Sequence, residues 1–218
     1  SKAWDHREHY TVEDWTEWMR RLSVELLRES PSPSLRPCHV LGQVHQPLAR
    51  ELFNAAFIAV WPELHPTSQD SMVHSIEAAF NSENLPPSIL ATLLNLAEFM
   101  DHDDRPLPID IRMLSKLAEK SHAYAKALYY KEFEVSKQPS IDGIDTLIKI
   151  NNKLQFYEAA TGVLKYAQLQ LGDVKVQPSW FLELERWSEA LEAYTPRENL
   201  DELDASGGGD LRATHRPQ

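Results

Sequence analysis

The feature of this sequence that most restricts its fold is the scarcity of glycine. The chain has 218 residues and 7 glycines, and three of these stand together at 207–209. Sandwiches and barrels with many tight turns, and loops that cradle phosphate, need more glycine than the remaining four positions supply. The composition therefore favours an all-α fold and argues against a nucleotide-binding loop in the body of the chain.

Apolar residues recur at helical spacing between breaks that are rich in proline and serine. Thr11, with Asp14 three residues later, has the pattern of a helix start, and Trp15 and Trp18 begin the apolar stripe that follows. Helices are predicted over 11–29, 34–44, 47–61, 68–81, 87–100, 110–137 with a break near Ser121, 140–154, 157–171, 178–185 and 187–194. Only residues 174–176 hint at a strand. We expect about ten helices paired in successive hairpins.

A weak internal repeat supports this expectation. Three aromatic residues each precede an alanine by three positions, and the alanines are 33 and then 30 residues apart. The period is close to the ~34 residues of tetratricopeptide repeats. A small alanine lets a partner helix approach closely, and the aromatic ring is expected to wedge between hairpins. The predicted packing residues are Trp15, Trp18, Tyr124, Ala127, Tyr157, Ala160, Trp187 and Ala190.

Charge and cysteine content narrow the possible partners and compartments. With 22 basic and 33 acidic residues the net charge is -11, so the clustered cations that bind nucleic acid are missing. The single cysteine, Cys38, cannot form an intramolecular disulfide or build a thiolate metal site alone. No apolar run approaches the ~20 residues that span a bilayer. A cytoplasmic protein without a transmembrane segment is predicted.

No catalytic constellation is evident in the sequence. The His-Arg-Glu-His run at 6–9 lacks the spacing of a zinc helix, and the acidic residues at 101–104 lack the alternation of a calcium loop. The other histidines, including His65, are expected in solvated loops. Kinase and hydrolase motifs are absent as well. The sequence therefore predicts no catalytic, cofactor-binding or metal-binding residue and no small-molecule substrate.

Five separated blocks of the sequence nevertheless resemble segments of one protein family. They occur in the same order as in that family. They are DWTEWMRRLSVELL at 14–27, LFNAAF at 52–57, LLNLAEFM at 93–100, AYAKAL at 123–128 followed by YKE at 130–132, and INNKLQ at 150–155. These blocks are similar to the target of rapamycin (TOR) family of phosphatidylinositol-kinase-related protein kinases. The resemblance extends over residues 13–194, more than four fifths of the chain.

The resemblance implies a segment at the junction of a HEAT solenoid and a FAT domain. It places HEAT-like hairpins at 11–105 and FAT-type tetratricopeptide-like repeats at 106–194, in a right-handed α-solenoid. The family's rapamycin-binding and kinase domains have no counterpart here. The implied role is a scaffold that supports the kinase domain and contacts other subunits in nutrient and growth signalling. The implied location is cytoplasmic, with peripheral attachment to endomembranes through the parent complex.

The ends of the sequence depart from the repeat pattern. Residues 1–10 are predicted to be a disordered leader and residues 195–218 a divergent, disordered tail, because apolar periodicity fades after Leu203. Since an array that stops within a repeat leaves an apolar face without a capping helix, we hypothesise a truncated or mis-spliced gene product.

An alternative is a stand-alone adaptor or decoy that binds a protein partner. A carboxylate clamp for an extended peptide would require Lys, Arg and Asn side chains to converge on one groove. The candidates are Lys126, Lys131, Asn151, Asn152 and Lys153, although such residues are also common on solvated helix faces. A small helical enzyme is the least favoured alternative.

Overall fold

The structure is a computed structural model, and it describes residues 11–170 and 177–194. Of these residues 77% are helical, and none of them forms a strand. The helices are α1 (Val12–Glu29), α2 (Cys38–Val44), α3 (Gln46–Glu51), α4 (Phe53–Val60), a 3₁₀ helix (Trp61–Glu63), α5 (Pro66–Phe80), α6 (Pro87–His102), α7 (Ile111–Lys120), α8 (Tyr124–Lys137), α9 (Ile141–Lys153), α10 (Tyr157–Gln170), α11 (Pro178–Glu183) and α12 (Trp187–Tyr194). The predicted all-α class is confirmed, and the hint of a strand at 174–176 lies outside the described residues.

Helix α1 begins where its sequence signal predicts. The Asp14 backbone N–H donates to Thr11 Oγ1 at 3.3 Å, and the Thr11 backbone N–H donates to Asp14 Oδ2 at 2.9 Å. This reciprocal capping box satisfies amides that the first turn leaves without helical partners. The apolar stripe that begins with Trp15 and Trp18 is buried and packs on α2, α3, α4 and α6.

Two helices after the proline-rich break differ from the sequence prediction. The helix predicted from 34 begins at Cys38, because residues 32–37 form turns in which Arg36 N–H bonds to Ser32 C=O at 3.1 Å. The single helix predicted over 47–61 is divided at Leu52, whose φ of -86° and ψ of -5° lie at the edge of the helical region. This division, together with the predicted break near Ser121, explains why the described residues contain twelve α-helices where ten ranges were predicted.

Three hairpins share one turn geometry. In each, three residues separate the helices, and the middle one, which is His122, Gln155 or Glu185, has a positive φ of 58°, 61° or 57°. Its N–H bonds to the carbonyl three residues back, and the next N–H bonds to the carbonyl five residues back. This is the Schellman motif, which satisfies carbonyls at the end of the first helix. The 33- and 30-residue spacing of the alanines is thus also the spacing of identical turns.

The chain divides into two compact units, Ser1–Tyr130 and Lys131–Gln218, and the boundary falls within α8. The core of the first unit is built around α1, which contacts α2, α3, α4 and α6. In the second unit α9 packs on α10 and α11, and α11 packs on α12. Within the part of the chain that the structure describes, no helix is long and apolar enough to cross a membrane.

Candidate functional site

The first unit contains a cleft of about 550 Å³ beside α6, which we call the α6 cleft. It lies between the connection from α5 to α6, the exposed side of α6 and the turn from α7 to α8. Its apolar lining includes Phe80, Leu85, Leu90, Ala91, Leu94 and Leu117, and its polar lining includes Ser82, Glu83, Asn95, Lys120, His122 and Lys126. A volume of this size is typical of a small-ligand or side-chain pocket.

One wall of the α6 cleft is anchored to the core. The indole N–H of Trp15, which is fully buried, donates to Ser82 Oγ at 3.0 Å. The same hydroxyl accepts the Asn84 backbone N–H at 3.3 Å, so one oxygen holds the connection between α5 and α6 in place. A wall tied to a buried tryptophan is pre-formed rather than assembled on binding.

The opposite wall is the turn between α7 and α8. Ala123 N–H donates to Ala118 C=O at 2.8 Å, and Ser121 Oγ donates to the same carbonyl at 3.0 Å. His122 occupies the left-handed position of this turn, and its Nδ1 lies 2.9 Å from Tyr124 Oη. Both walls are therefore held by hydrogen bonds that do not involve a ligand.

Helices α6 and α8 are joined by two polar pairs beside the cleft. Lys126 Nζ contacts a carboxylate oxygen of Glu98, and the Tyr129 hydroxyl donates to Asp101. The bond to Asp101 raises the pKa of Tyr129. Burial raises the pKa of the neighbouring Tyr130, with a contribution from the carboxylates of Asp101 and Glu98. Both tyrosines therefore stay protonated near neutral pH.

The predicted packing residues fall into two groups. Trp15, Trp18, Ala127, Ala160 and Ala190 are all buried, with at most 3% exposure, and the two tryptophan rings meet edge to face with centroids 5.4 Å apart. The aromatic residues of the repeat instead occupy the first position of α8, α10 and α12. Tyr157 is 56% exposed and Trp187 is 66% exposed, so the wedge role expected for them gains no support from the described residues.

Four of the five residues of the hypothetical carboxylate clamp are engaged in contacts within their own compact unit. Lys126 pairs with Glu98, and Lys131 is 4% exposed and pairs with Glu134 at 2.9 Å. Asn151 is buried and donates to the Leu147 carbonyl of its own helix at 2.9 Å. Asn152 donates to the Glu183 carbonyl at 2.8 Å and so links α9 to α11. Lys126 and Asn152 thus link neighbouring helices, and Lys131 and Asn151 bond within their own helices.

Histidines and carboxylates do not gather into a metal site in residues 11–170 and 177–194. The His-Arg-Glu-His run at 6–9 lies outside the described residues. His65 is exposed and lies outside the helices, as expected, and it also caps α5, because its Nδ1 accepts the Thr67 backbone N–H at 3.4 Å and Pro66 occupies the first helical position. The capping contact follows from the β-region backbone of His65, which places its ring over the first turn.

The α6 cleft was missed by the sequence analysis, because its lining comes from three parts of the chain that no local pattern connects. The one available signal was Lys120 beside the predicted break near Ser121, which places a cation at a turn. No spacing rule relates that turn to residues 80–95.

Comparison with known proteins shows which proteins this chain is similar to. No protein-family model matches the chain. It is 54% identical over 192 residues, or 85% of its length, to the serine/threonine-protein kinase TOR of Arabidopsis thaliana. It is 48% identical over 92% of its length to the kinase TOR2 of Saccharomyces cerevisiae, and 43% identical over 93% to the kinase mTor of Drosophila melanogaster. The chain is homologous to a segment of the TOR kinases.

The match is a partial one with respect to those relatives. The chain spans 8% of the length of each TOR kinase named above. Identity of 43–54% across plants, fungi and insects confirms the resemblance drawn from the five sequence blocks.

Proposed function

We propose that this chain is a non-catalytic, helical-repeat scaffold segment of a TOR-like serine/threonine protein kinase. In this role it supports the kinase domain and contacts the other subunits of a complex in nutrient and growth signalling. Its place is the cytoplasm, with peripheral attachment to endomembranes through the parent complex. The proposal also assigns HEAT-like hairpins to 11–105 and FAT-type repeats to 106–194.

The observation that carries the proposal is the match to one 8% segment of the TOR kinases, joined with a fold of repeated hairpins. Polar residues that were candidates for a site are committed to structural contacts, as Lys131 and Asn152 illustrate. A segment built in this way acts through its packed surfaces. The rest of the parent kinase would be its first partner.

The test uses a full-length TOR kinase that carries this segment. Ala127→Leu places a larger side chain at a fully buried position in α8 and should cost ~1 to 3 kcal/mol of stability. Ala125→Leu changes an exposed position of the same helix and is the matched control. Reduced kinase activity or subunit recovery with Ala127→Leu alone supports the scaffold role, and equal behaviour of the two variants contradicts it.

An immunoblot of native extract, with an antibody raised against residues 110–194, distinguishes the adaptor alternative from the scaffold segment. A band only at the mass of a whole kinase supports the scaffold segment. A discrete band near 25 kDa, the mass of this chain, supports an independent adaptor or decoy.

A further inference from the structure

The connection from α1 to α2 contains two adjacent serine-proline pairs that the scaffold role does not use. Residues 30–33 read Ser-Pro-Ser-Pro, and serine followed by proline is the pattern that proline-directed protein kinases select. Because proline has no backbone N–H, a kinase of this class must accept a residue without that donor directly after the target serine. A third pair, Thr195-Pro196, lies outside the described residues.

Ser30 is protected in the folded chain. It is 0% exposed and caps the end of α1, and its hydroxyl oxygen accepts the Ser32 backbone N–H at 3.3 Å. Phosphoryl transfer requires the acceptor hydroxyl to reach the catalytic base of the kinase. A fully buried serine cannot do so while α1 stays packed.

Ser32 has a different environment. It is half-buried between two exposed prolines, Pro31 and Pro33, and within the described residues its hydroxyl makes no hydrogen bond. The ring of Pro33 biases the backbone of Ser32 away from helix, and Ser32 lies outside α1 and α2. This serine can therefore enter a kinase active site without the unwinding of a helix.

A positive side chain lies on the same turn as Ser32. Arg36 is exposed, and its backbone N–H donates to the Ser32 carbonyl at 3.1 Å. Its Nε–H donates to the Ser30 carbonyl at 3.1 Å, and its Nη groups have no partner among the described residues. A phosphate on Ser32 would carry a charge of about -1.5 to -2 at pH 7, which these free Nη groups are suited to pair.

We propose that Ser32 is a phosphorylation site for a proline-directed serine/threonine kinase. In the transfer, Ser32 Oγ bonds to the γ-phosphorus of ATP, the bond from that phosphorus to the bridging oxygen breaks, and the hydroxyl proton passes to the catalytic aspartate of the kinase. The products are phosphoserine and ADP. The phosphate then pairs with Arg36 across the turn. This inference goes beyond the scaffold role and does not rest on it.

The test incubates the folded 218-residue chain with ATP, Mg²⁺ and a cyclin-dependent kinase bound to its cyclin, and tandem mass spectrometry locates the phosphate. We expect Ser32 to be labelled at least about tenfold faster than Ser30, because Ser30 becomes accessible only when the end of α1 opens. A synthetic peptide of residues 26–38 is the control for sequence preference. The ratio should fall in the peptide, where neither serine is buried.

Matched variants test the motif. Pro33→Ala should slow labelling of Ser32 by at least about tenfold, as the loss of a pocket contact does. Ser34→Ala changes an exposed position of the same connection and should leave the rate unchanged. Circular dichroism checks that both variants are folded. No label at Ser32, equal labelling of Ser30 and Ser32 in the folded chain, or an unchanged rate in Pro33→Ala would overturn the proposal.

Phosphorus NMR of the phosphorylated chain tests the pairing with Arg36. A cation beside the phosphate holds its second pKa below the ordinary value of about 6. Arg36→Ala should therefore raise that pKa. Arg20→Ala is the control, because it removes a positive charge that pairs with Glu17 in α1, and it should leave the pKa unchanged. Equal values in the two variants would show that Arg36 does not bind the phosphate.

Discussion

Two helical glycines in the second unit differ in how closely other atoms approach them. A Cβ added at Gly143 would lie 2.6 Å from Val135 Cγ2 and 2.9 Å from Ser140 Oγ, the oxygen that caps α9. A Cβ added at Gly162 would have no atom within 4 Å. Glycine is thus required at one position by close approach, and at the other it only lowers the stability of the helix.

Alanine substitutions at these two glycines are predicted to change the stability of the protein in opposite directions. Gly162→Ala should stabilise the protein by about 0.5 to 1 kcal/mol, because alanine is the better helix former. Gly143→Ala should destabilise it by more than about 1 kcal/mol, since the stiff Val135 side chain and the capping hydroxyl must both move. Urea unfolding of both variants measures the difference. Stabilisation by both would show that Val135 is not packed as described.

At the scale of elements, the recurrent turn places a residue with a side chain where glycine is preferred. Gln155 has a φ of 61°, a conformation that costs a non-glycine residue about 1 to 2 kcal/mol. Gln155→Gly should therefore raise the free energy of unfolding by roughly 1 kcal/mol. Lys165→Gly, at an exposed site inside α10, should lower it by a similar amount. A loss of stability from Gln155→Gly would mean that the side chain contributes more than the turn costs.

The start of α1 should respond to acid. The Thr11 backbone N–H and hydroxyl hold the pKa of Asp14 below its ordinary value of 3.8. A depressed pKa in the folded state stabilises the protein above the unfolded value, and this contribution disappears as pH falls through the folded value. The stability difference between wild type and Asp14→Asn should therefore shrink on acidification from pH 7 to about 3.

Urea unfolding at the two pH values measures this difference. Glu13→Gln is the control, because it also removes one acidic charge from the first turn of α1 without touching the capping box. A difference that is independent of pH for Asp14→Asn would show that its carboxylate does not cap the helix in solution.

At the scale of the whole molecule, the two compact units each have a core of their own. A substitution in one core should loosen that unit more than the other, as locally cooperative units do. Hydrogen exchange should rise in α9 and α10 for Gly143→Ala and in α5 and α6 for Ala127→Leu. Equal changes in both units for either variant would show that the chain unfolds as one body.

The sequence predicted most helices but not the cleft, and the reason is physical. Helix starts depend on local signals: Thr11 caps the helix that its pattern predicts, and Ser140 caps the helix predicted over 140–154. The division at Leu52 and the capping role of His65 depend on backbone angles that no periodicity encodes. The α6 cleft depends on tertiary packing between residues about 40 positions apart, such as Glu83 and Lys120, and therefore lies beyond local rules.

The three-residue turns also bear on how homologous chains can vary in length. One residue inserted between α9 and α10 would rotate the second helix by about 100° and carry Ala160 out of its buried contact. A deletion would have the same effect in the other direction. Insertions and deletions among TOR sequences should therefore avoid the turns at 121–123, 154–156 and 184–186.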